Sequence, residues 1–326
     1  MTLEIGVDEA FAQTVGDRLK IIEHRLADSA FGQTPFVTEA ASHIINAGGK
    51  RLRPMLVMVG SQLHPGADAD ATERAAMVVE LTHVASLYHD DVMDEADLRR
   101  GTESANHRYD NSIAIMIGDF LFARASSIVA TLGTDYVALQ ADTFARLVQG
   151  QIAETRGPQA GDDPVGHYLQ VVADKTGSLI ATSAVFGGMV CGAAPAELRA
   201  LAAYGEELGA VFQLSDDIID IASDVTGKTP GTDLREGVPT LPTLLVKAGD
   251  DPSDARLRQL LQGQIDDADE LAEALRLMRA HPVLTQARVE VERRAQLAKS
   301  HLDVLPHGTA RDALMELCDQ IVSRTA

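Results

Sequence analysis

The chain has no tryptophan, and its few tyrosines and phenylalanines make up only 4% of 326 residues. A pocket that surrounds its ligand with stacked rings is therefore not expected. It has just two cysteines, Cys191 and Cys318. Their spacing matches no metal site and offers no disulfide framework, so a reducing, cytoplasmic setting is expected. No uninterrupted apolar run approaches the ~18 residues of a membrane span. The first twenty residues lack the basic start and apolar core of a secretory leader. Positive charge is also scarce: 28 basic residues stand against 48 acidic ones, a net charge of −20. Such a surface argues against nucleic acid as a partner. It leaves phosphate ligands open, because a bound metal ion reverses the local sign. Convincing period-2 strand patterns are absent as well.

Hydrophobic residues, by contrast, make up 45% of the chain, and most recur at steps of three or four. Breakers fall at Gly48-Gly49, Pro65-Gly66, Gly101, Gly133, Gly157-Pro158, Gly161 to Pro164, Gly192 to Pro195 and Gly227 to Pro242. Between them lie stretches long enough for extended helices with short connections. This predicts an all-α bundle in a single domain spanning 1–326. The longest irregular stretch, Asp224 to Pro242, is expected to form a lid.

Two Asp-Asp-x-x-Asp motifs stand far apart in the chain: Asp90-Asp91-Val-Met-Asp94 and Asp216-Asp217-Ile-Ile-Asp220. On a helix, positions i and i+4 share a face and i+1 sits about 100° round the axis. Each motif thus aims three carboxylates in roughly one direction. One such motif is often no more than a solvated helix face. Two, each set in an apolar helical pattern (Met77, Leu81, Val84, Tyr88, Val92; Val211, Leu214, Ile218, Ile221), point to Mg²⁺. This hard cation takes one or two carboxylates and completes its shell with water and phosphate oxygens.

Other residues carry phosphate chemistry. Gly48-Gly49-Lys50-Arg51-Leu52-Arg53-Pro54 sets three cations beside two glycines, and arginine offers a planar fork to phosphate oxygens. His83, two turns before Asp90, shares a face with Asp90 and Asp94. Arg99 and Arg100 follow the first motif, either as phosphate ligands or as favourable charges at a helix C-terminus. Asp174-Lys175-Thr176-Gly177 reads as a helix break carrying a cation. Gln213 precedes Asp217 by one turn, and Lys228 opens the lid stretch.

These segments occur in one order: Gly-Gly-Lys-Arg-Leu-Arg-Pro at 48–54, HVASLYHDDVMDEADLRRG from His83 to Gly101, Gly118-Asp119-Phe120-Leu121, Lys175-Thr176, Phe212-Gln213-Leu-Ser-Asp216-Asp217-Ile-Ile-Asp220, Gly227-Lys228 and Asp233 to Pro242. In this the chain resembles the trans-type polyprenyl diphosphate synthases, over nearly its whole length. The resemblance implies an all-α bundle of long helices around a central cavity, three Mg²⁺ ions and a homodimer. It also implies condensation of isopentenyl diphosphate with an allylic diphosphate. Asp90, Asp91, Asp94, Asp216, Asp217 and Asp220 would hold the ions. Arg99, Lys175 and Lys228 would contact the allylic diphosphate. Lys50, Arg53, His83 and Arg100 would bind isopentenyl diphosphate, and Thr176 and Gln213 would lie near the reacting carbons. One departure stands out: many relatives carry Glu-Gly-Lys in the lid segment, where this chain has Glu236-Gly237-Val238.

One helical turn spans ~5.4 Å, close to one extended five-carbon unit. Ala85 and Ser86, one turn before Asp90, are small, and Leu81 and Thr82 follow one turn further. A product tunnel is therefore expected to stay open past Ala85 and Ser86, although Leu81 and Met77 could narrow it further on, and a medium- or long-chain product is expected. A short-chain (farnesyl or geranylgeranyl) synthase is the alternative. A class I terpene cyclase is disfavoured by the intact second motif and by Lys50 and Arg53. A non-catalytic partner subunit is disfavoured because both motifs are complete, and a helical scaffold leaves the ordered cations unexplained.

Overall fold

The computed structural model describes residues 8–222 and 230–325. The helices are α1 (Glu9–Ser29), α2 (Pro35–Asn46), α3 (Leu52–Gly60), α4 (Ala69–Met93), α5 (Ala105–Tyr109), α6 (Asn111–Val129), α7 (Thr134–Arg156), α8 (Pro164–Val172), α9 (Ser178–Val190) and α10 (Pro195–Ala222). There follow α11 (Thr232–Glu236), α12 (Leu241–Ala248), α13 (Ala255–Leu260), α14 (Ala268–Ala280), α15 (Val283–His301) and α16 (Thr309–Ser323). The all-α expectation holds with one correction. Leu98–Arg99 (β1) and Thr102–Glu103 (β2) form a two-residue antiparallel hairpin. Arg100 and Gly101 turn it with φ of 53° and 78°, the left-handed pair that matches strand twist. Arg99 and Arg100 therefore sit on a hairpin, not on the end of a helix.

The residues gather into two compact units. The first takes the described residues up to Ala145, with Leu179–Gly205 and Leu302–Glu316. Its core includes Leu26, Ile44, Leu56, Leu81, Tyr88, Leu121, Phe186 and Tyr204, each sealed from solvent; burying such a side chain is worth about 1.5–3 kcal/mol. Its central helix is α4, which starts where the Asp68 carboxylate accepts from the Ala71 amide at 2.8 Å, a side-chain N-cap. Of the helix-period residues named on α4, Met77, Leu81, Val84 and Tyr88 are buried, and Val92 in its last turn is half-buried. Beside it runs α6, long and apolar enough to cross a membrane by length and composition. Its Ala114, Ile117, Gly118, Leu121, Ala125 and Val129 make a buried stripe at steps of one, three or four, and α6 packs on α4.

The second unit takes Arg146–Ser178, the described part of Glu206–His301 and the described residues from Leu317 onward. Ile221, Leu234, Val246, Leu257, Leu260, Met278 and Leu284 form its core. Here the expected helix break at Asp174–Gly177 is a π-helical turn, Ala173–Gly177, leading without interruption from α8 into α9. A π turn inserts one residue without breaking the backbone ladder, and such turns are frequent at functional sites. Helix α10 crosses it closely: a Cβ on Gly209 would lie 2.5 Å from the Gly177 Cα. The stretch expected to be an irregular lid is ordered in its described part. It contains α11 and runs directly into α12, whose Thr240 and Thr243 form a capping box.

Candidate active site

In the first unit, Gly48 to Pro54 leads into α3. The three cations of this stretch have different surroundings. Arg51 has a left-handed φ of 49°, uncommon for a side chain of its size. Its guanidinium is locked by Glu80 (2.6 Å), Glu23 (2.5 and 2.9 Å) and the Ile45 carbonyl (3.1 Å). Burial works against its charge, but the two carboxylates outweigh that and raise its pKa. Arg51 therefore serves the fold. Lys50 is exposed beside it.

Arg53 lacks such pairing. Its Nε is sealed from water and has no hydrogen-bond partner among the described residues. Burial pushes its pKa down to about 10, with nearby Glu80 opposing and Arg100 reinforcing the fall. Burial lowers the Arg100 pKa too, Arg51 and Arg99 adding to the fall while Glu80 opposes it. Arg100 donates to the Ile44 carbonyl at 3.2 Å and to the Gly48 carbonyl. Gly49 leaves it room, since a Cβ there would lie 3.0 Å from the guanidinium. His83 is held well below its ordinary range, chiefly by burial and then by Arg53, Arg100, Arg51 and Arg99. Arg53 and Arg100 thus form a cationic pair short of negative charge beside an uncharged His83 ring, and an anion would relieve it.

The first acidic motif ends α4. Its members have separate roles. Asp91 is fully buried, accepting from Arg99 Nε at 2.5 Å and from the Ala105 amide at 3.2 Å. It ties the hairpin and α5 to α4. Asp90 is half-buried and Asp94 exposed; one turn apart, they present carboxylates on one face.

The second motif, on α10 in the second unit, repeats this division. Asp217 is buried, accepting from Tyr168 Oη and from Gln213 Nε2 (3.1 Å). Burial pushes its pKa up to about 6, although those two hydrogen bonds favour the carboxylate. Gln213 Oε1 in turn accepts from Thr176 Oγ1 at 3.4 Å, so a relay runs from the π turn through Gln213 to Asp217 and Tyr168. Tyr168 was not found from the sequence; only its fold contact with Asp217 reveals it. Asp216 and Asp220 are half-buried. Asp216 accepts from Arg324 at 2.5 Å. Asp220 receives the Thr232 and Asp233 amides at 3.2 and 3.1 Å, at the start of α11. Lys175 pairs with Glu154. Lys228 lies outside the described residues, as do Gly227 and Asp224.

The donor sets fit Mg²⁺. Among the described residues, no cluster of three or more His, Cys, Asp and Glu side chains is placed to hold an ion by itself. Each motif offers two accessible carboxylates one turn apart, matching an ion that takes few protein ligands and keeps water and phosphate in its shell.

The tunnel candidates are all buried in the first unit: Leu81, Thr82, Ala85 and Ser86. Thr82 Oγ1 donates to the Val78 carbonyl at 2.7 Å, and Ser86 Oγ to the His83 carbonyl at 2.8 Å. Ser86 thus turns its hydroxyl onto its own helix, while Thr82 Oγ1 also accepts from Gln140 Nε2 at 3.5 Å.

The model of the polyprenyl synthetase family matches residues 34–278. The chain is 46% identical to the nonaprenyl diphosphate synthase of Mycobacterium tuberculosis, covering 99% of this chain and 98% of that protein. Among solved structures, it is 42% identical to a geranylgeranyl pyrophosphate synthase from Corynebacterium glutamicum complexed with calcium and isoprenyl diphosphate, with a TM-score of 0.88 over 99% of both chains. A decaprenyl diphosphate synthase from Rhodobacter capsulatus is 30% identical, with a TM-score of 0.85 over 98% of this chain and 99% of that one. The chain belongs to the polyprenyl synthetase family and is a prenyltransferase.

Proposed function

We propose that this enzyme condenses isopentenyl diphosphate head to tail with an allylic diphosphate, as a single prenyltransferase domain, and releases an all-trans polyprenyl diphosphate of medium to long chain. The observation that carries the reading is the cationic pair of Arg53 and Arg100 beside His83, with a buried Arg53 N–H that has no partner among the described residues. Such a pair is costly without an anion, and a diphosphate supplies one. Lys50 at its exposed edge adds charge.

Asp90 and Asp94, and Asp216 and Asp220, are the carboxylates offered to Mg²⁺. Asp91 and Asp217 position them by anchoring the hairpin and the Gln213 relay. When bound, Mg²⁺ neutralises charge on the departing diphosphate, which is Lewis-acid assistance. Arg99, Lys175 and Lys228 are assigned contact with that leaving group by the resemblance. The allylic C–O bond breaks, its electron pair leaving with the diphosphate. The isopentenyl double bond attacks the resulting cation, and a proton lost from the adduct restores a double bond. Donors that favour the developing charge more than the ground state lower the barrier.

Two observations support the longer product: Ala85 and Ser86 are small, and the nonaprenyl and decaprenyl synthases are relatives. We further propose a homodimer in the cytoplasm. On α6, Ile115 and Met116 remain 44% and 55% exposed, an apolar face that a second copy can cover.

The test is incubation of the purified protein with labelled isopentenyl diphosphate and each of dimethylallyl, geranyl and farnesyl diphosphate, with Mg²⁺ or with a chelator. Dephosphorylated products are then sized by chromatography. Incorporation that requires Mg²⁺ and ends at six to ten isoprene units is expected. Hydrocarbon released from the allylic substrate alone would make the enzyme a cyclase, and products stopping at fifteen or twenty carbons would make it a short-chain synthase.

A further inference from the structure

The turn that follows α16 reaches the second acidic motif. We propose that Arg324 is a positioning residue that holds the Asp216 carboxylate in the orientation a divalent cation requires. This rests on the reading of Asp216 as a metal ligand. Arg324 directly follows α16 and lies 108 positions from Asp216, yet its Nη2 donates to Asp216 Oδ1 at 2.5 Å. The contact runs through one nitrogen to one oxygen rather than through a bidentate fork. That geometry fixes a carboxylate without enclosing it. Carboxylates that ligate a metal are commonly held by such a hydrogen bond from an outer partner.

The guanidinium is itself held. Its carbon lies 5.5 Å from the ring centroid of Phe212, one helical turn before Asp216 on α10. The side chain is only 11% exposed. The terminal turn that carries it is fastened at several points. The Thr325 amide and hydroxyl both donate to the Val322 carbonyl, at 3.0 and 2.8 Å. The Thr325 carbonyl accepts from Arg288 of α15 at 2.8 Å. A loosely held segment would have none of these ties. Arg324 Nη1 is buried with no partner among the described residues. Leaving such a donor unmet is unfavourable, so the arginine is not there to satisfy itself. The neighbouring carboxylate explains its place.

A rival reading of the same contact is that the guanidinium competes with the metal for Asp216. The two make opposite predictions. Mn²⁺ serves as the probe, titrated by electron paramagnetic resonance into the full-length protein with inorganic pyrophosphate present. The variants are Arg324→Ala, Arg324→Gln, Arg324→Lys and Asp216→Asn. Circular dichroism melts select the folded ones, and Gln and Lys preserve bulk over Phe212 should Ala unfold. The expected result is Mn²⁺ affinity weakened roughly 10-fold or more in Arg324→Ala and Arg324→Gln, with part of it recovered in Arg324→Lys. In turnover, the Mg²⁺ needed for half-activity rises by a similar factor, while kcat at saturating Mg²⁺ and KM for isopentenyl diphosphate stay close to wild type. Unchanged Mn²⁺ affinity overturns the proposal, and tighter binding replaces it with competition. If Asp216→Asn leaves Mn²⁺ binding intact, Asp216 is not a ligand and the underlying functional reading fails instead.

Discussion

At the scale of single residues, charges that look alike in sequence separate by their surroundings. Arg51 and Arg53 are two positions apart, yet one is locked between carboxylates and the other is short of them. Nothing local announces this, because Glu23 and Glu80 lie 28 and 29 residues away. The presence of a basic cluster was legible; the division of labour within it was not. Breaking the buried pair should therefore show as lost stability. With Arg51→Met, Glu80 is left buried at 2% exposure without its counter-ion, at a cost of about 3–5 kcal/mol. The exposed Glu23 side of the network adds little. The double variant Arg51→Met with Glu80→Leu removes both charges and should recover part of the loss, less the support that Glu80 gives Arg53 and Arg100. Urea midpoints of the two variants check this, and equal midpoints would refute the pairing argument. His83 gives a pH prediction. Its folded pKa is lowered, so the unfolded chain binds the proton more readily. The resulting stability is fully present above about pH 6.5 and is lost as pH falls toward the folded value. Melting temperature should fall from pH 7 to pH 5.5, and His83→Gln should flatten part of that fall. Parallel profiles for the two proteins would show that His83 does not contribute.

At the scale of elements, the two motif helices were readable because apolar spacing reports a buried face directly. Val211, Leu214, Ile218 and Ile221 are buried as that spacing predicts. The hairpin at Leu98–Glu103 was unreadable, since strands of two residues leave no period to detect. The π turn was mistaken for a break because Gly177 is a typical breaker. Its actual requirement is closeness: α10 lies so near that Gly209 cannot carry a side chain. Gly209→Ala sets a Cβ against backbone atoms, 2.5 Å from the Gly177 Cα and 3.1 Å from its nitrogen. Backbone cannot rotate aside as a flexible side chain does, so the two segments must separate, at about 1–3 kcal/mol. The Thr176–Gln213 link spans that same crossing and should be lost with it. The expected kinetic result is a fall of roughly 10-fold or more in kcat, since small displacements of catalytic groups can cost that much. KM for isopentenyl diphosphate should hold, because its proposed ligands lie in the other unit. A variant with unchanged kcat would show that the relay is not needed for turnover.

At the scale of the whole molecule, charge and apolar surface oppose each other. Each copy carries a formal −20, so two copies repel, and salt at 0.15 M screens that repulsion beyond about 8 Å. A homodimer must draw its affinity from uncharged contact, and the α6 face with Ile115 and Met116 is placed to provide it. Two consequences separate this from a monomer. Sedimentation in moderate salt should give twice the chain mass of 34.8 kDa, with dissociation promoted at very low ionic strength, where repulsion is unscreened. Met116→Glu adds one more negative charge per copy and desolvates it on association, a penalty of several kcal/mol for each unpaired ion. It should therefore shift the equilibrium to monomer even in salt. Because Met116 is 55% exposed, the fold of each copy should survive, and the melting temperature extrapolated to low protein concentration should stay near that of wild type. Wild-type protein sedimenting at a single chain mass, or Met116→Glu remaining at twice that mass in low salt, would rule out α6 as the joining face.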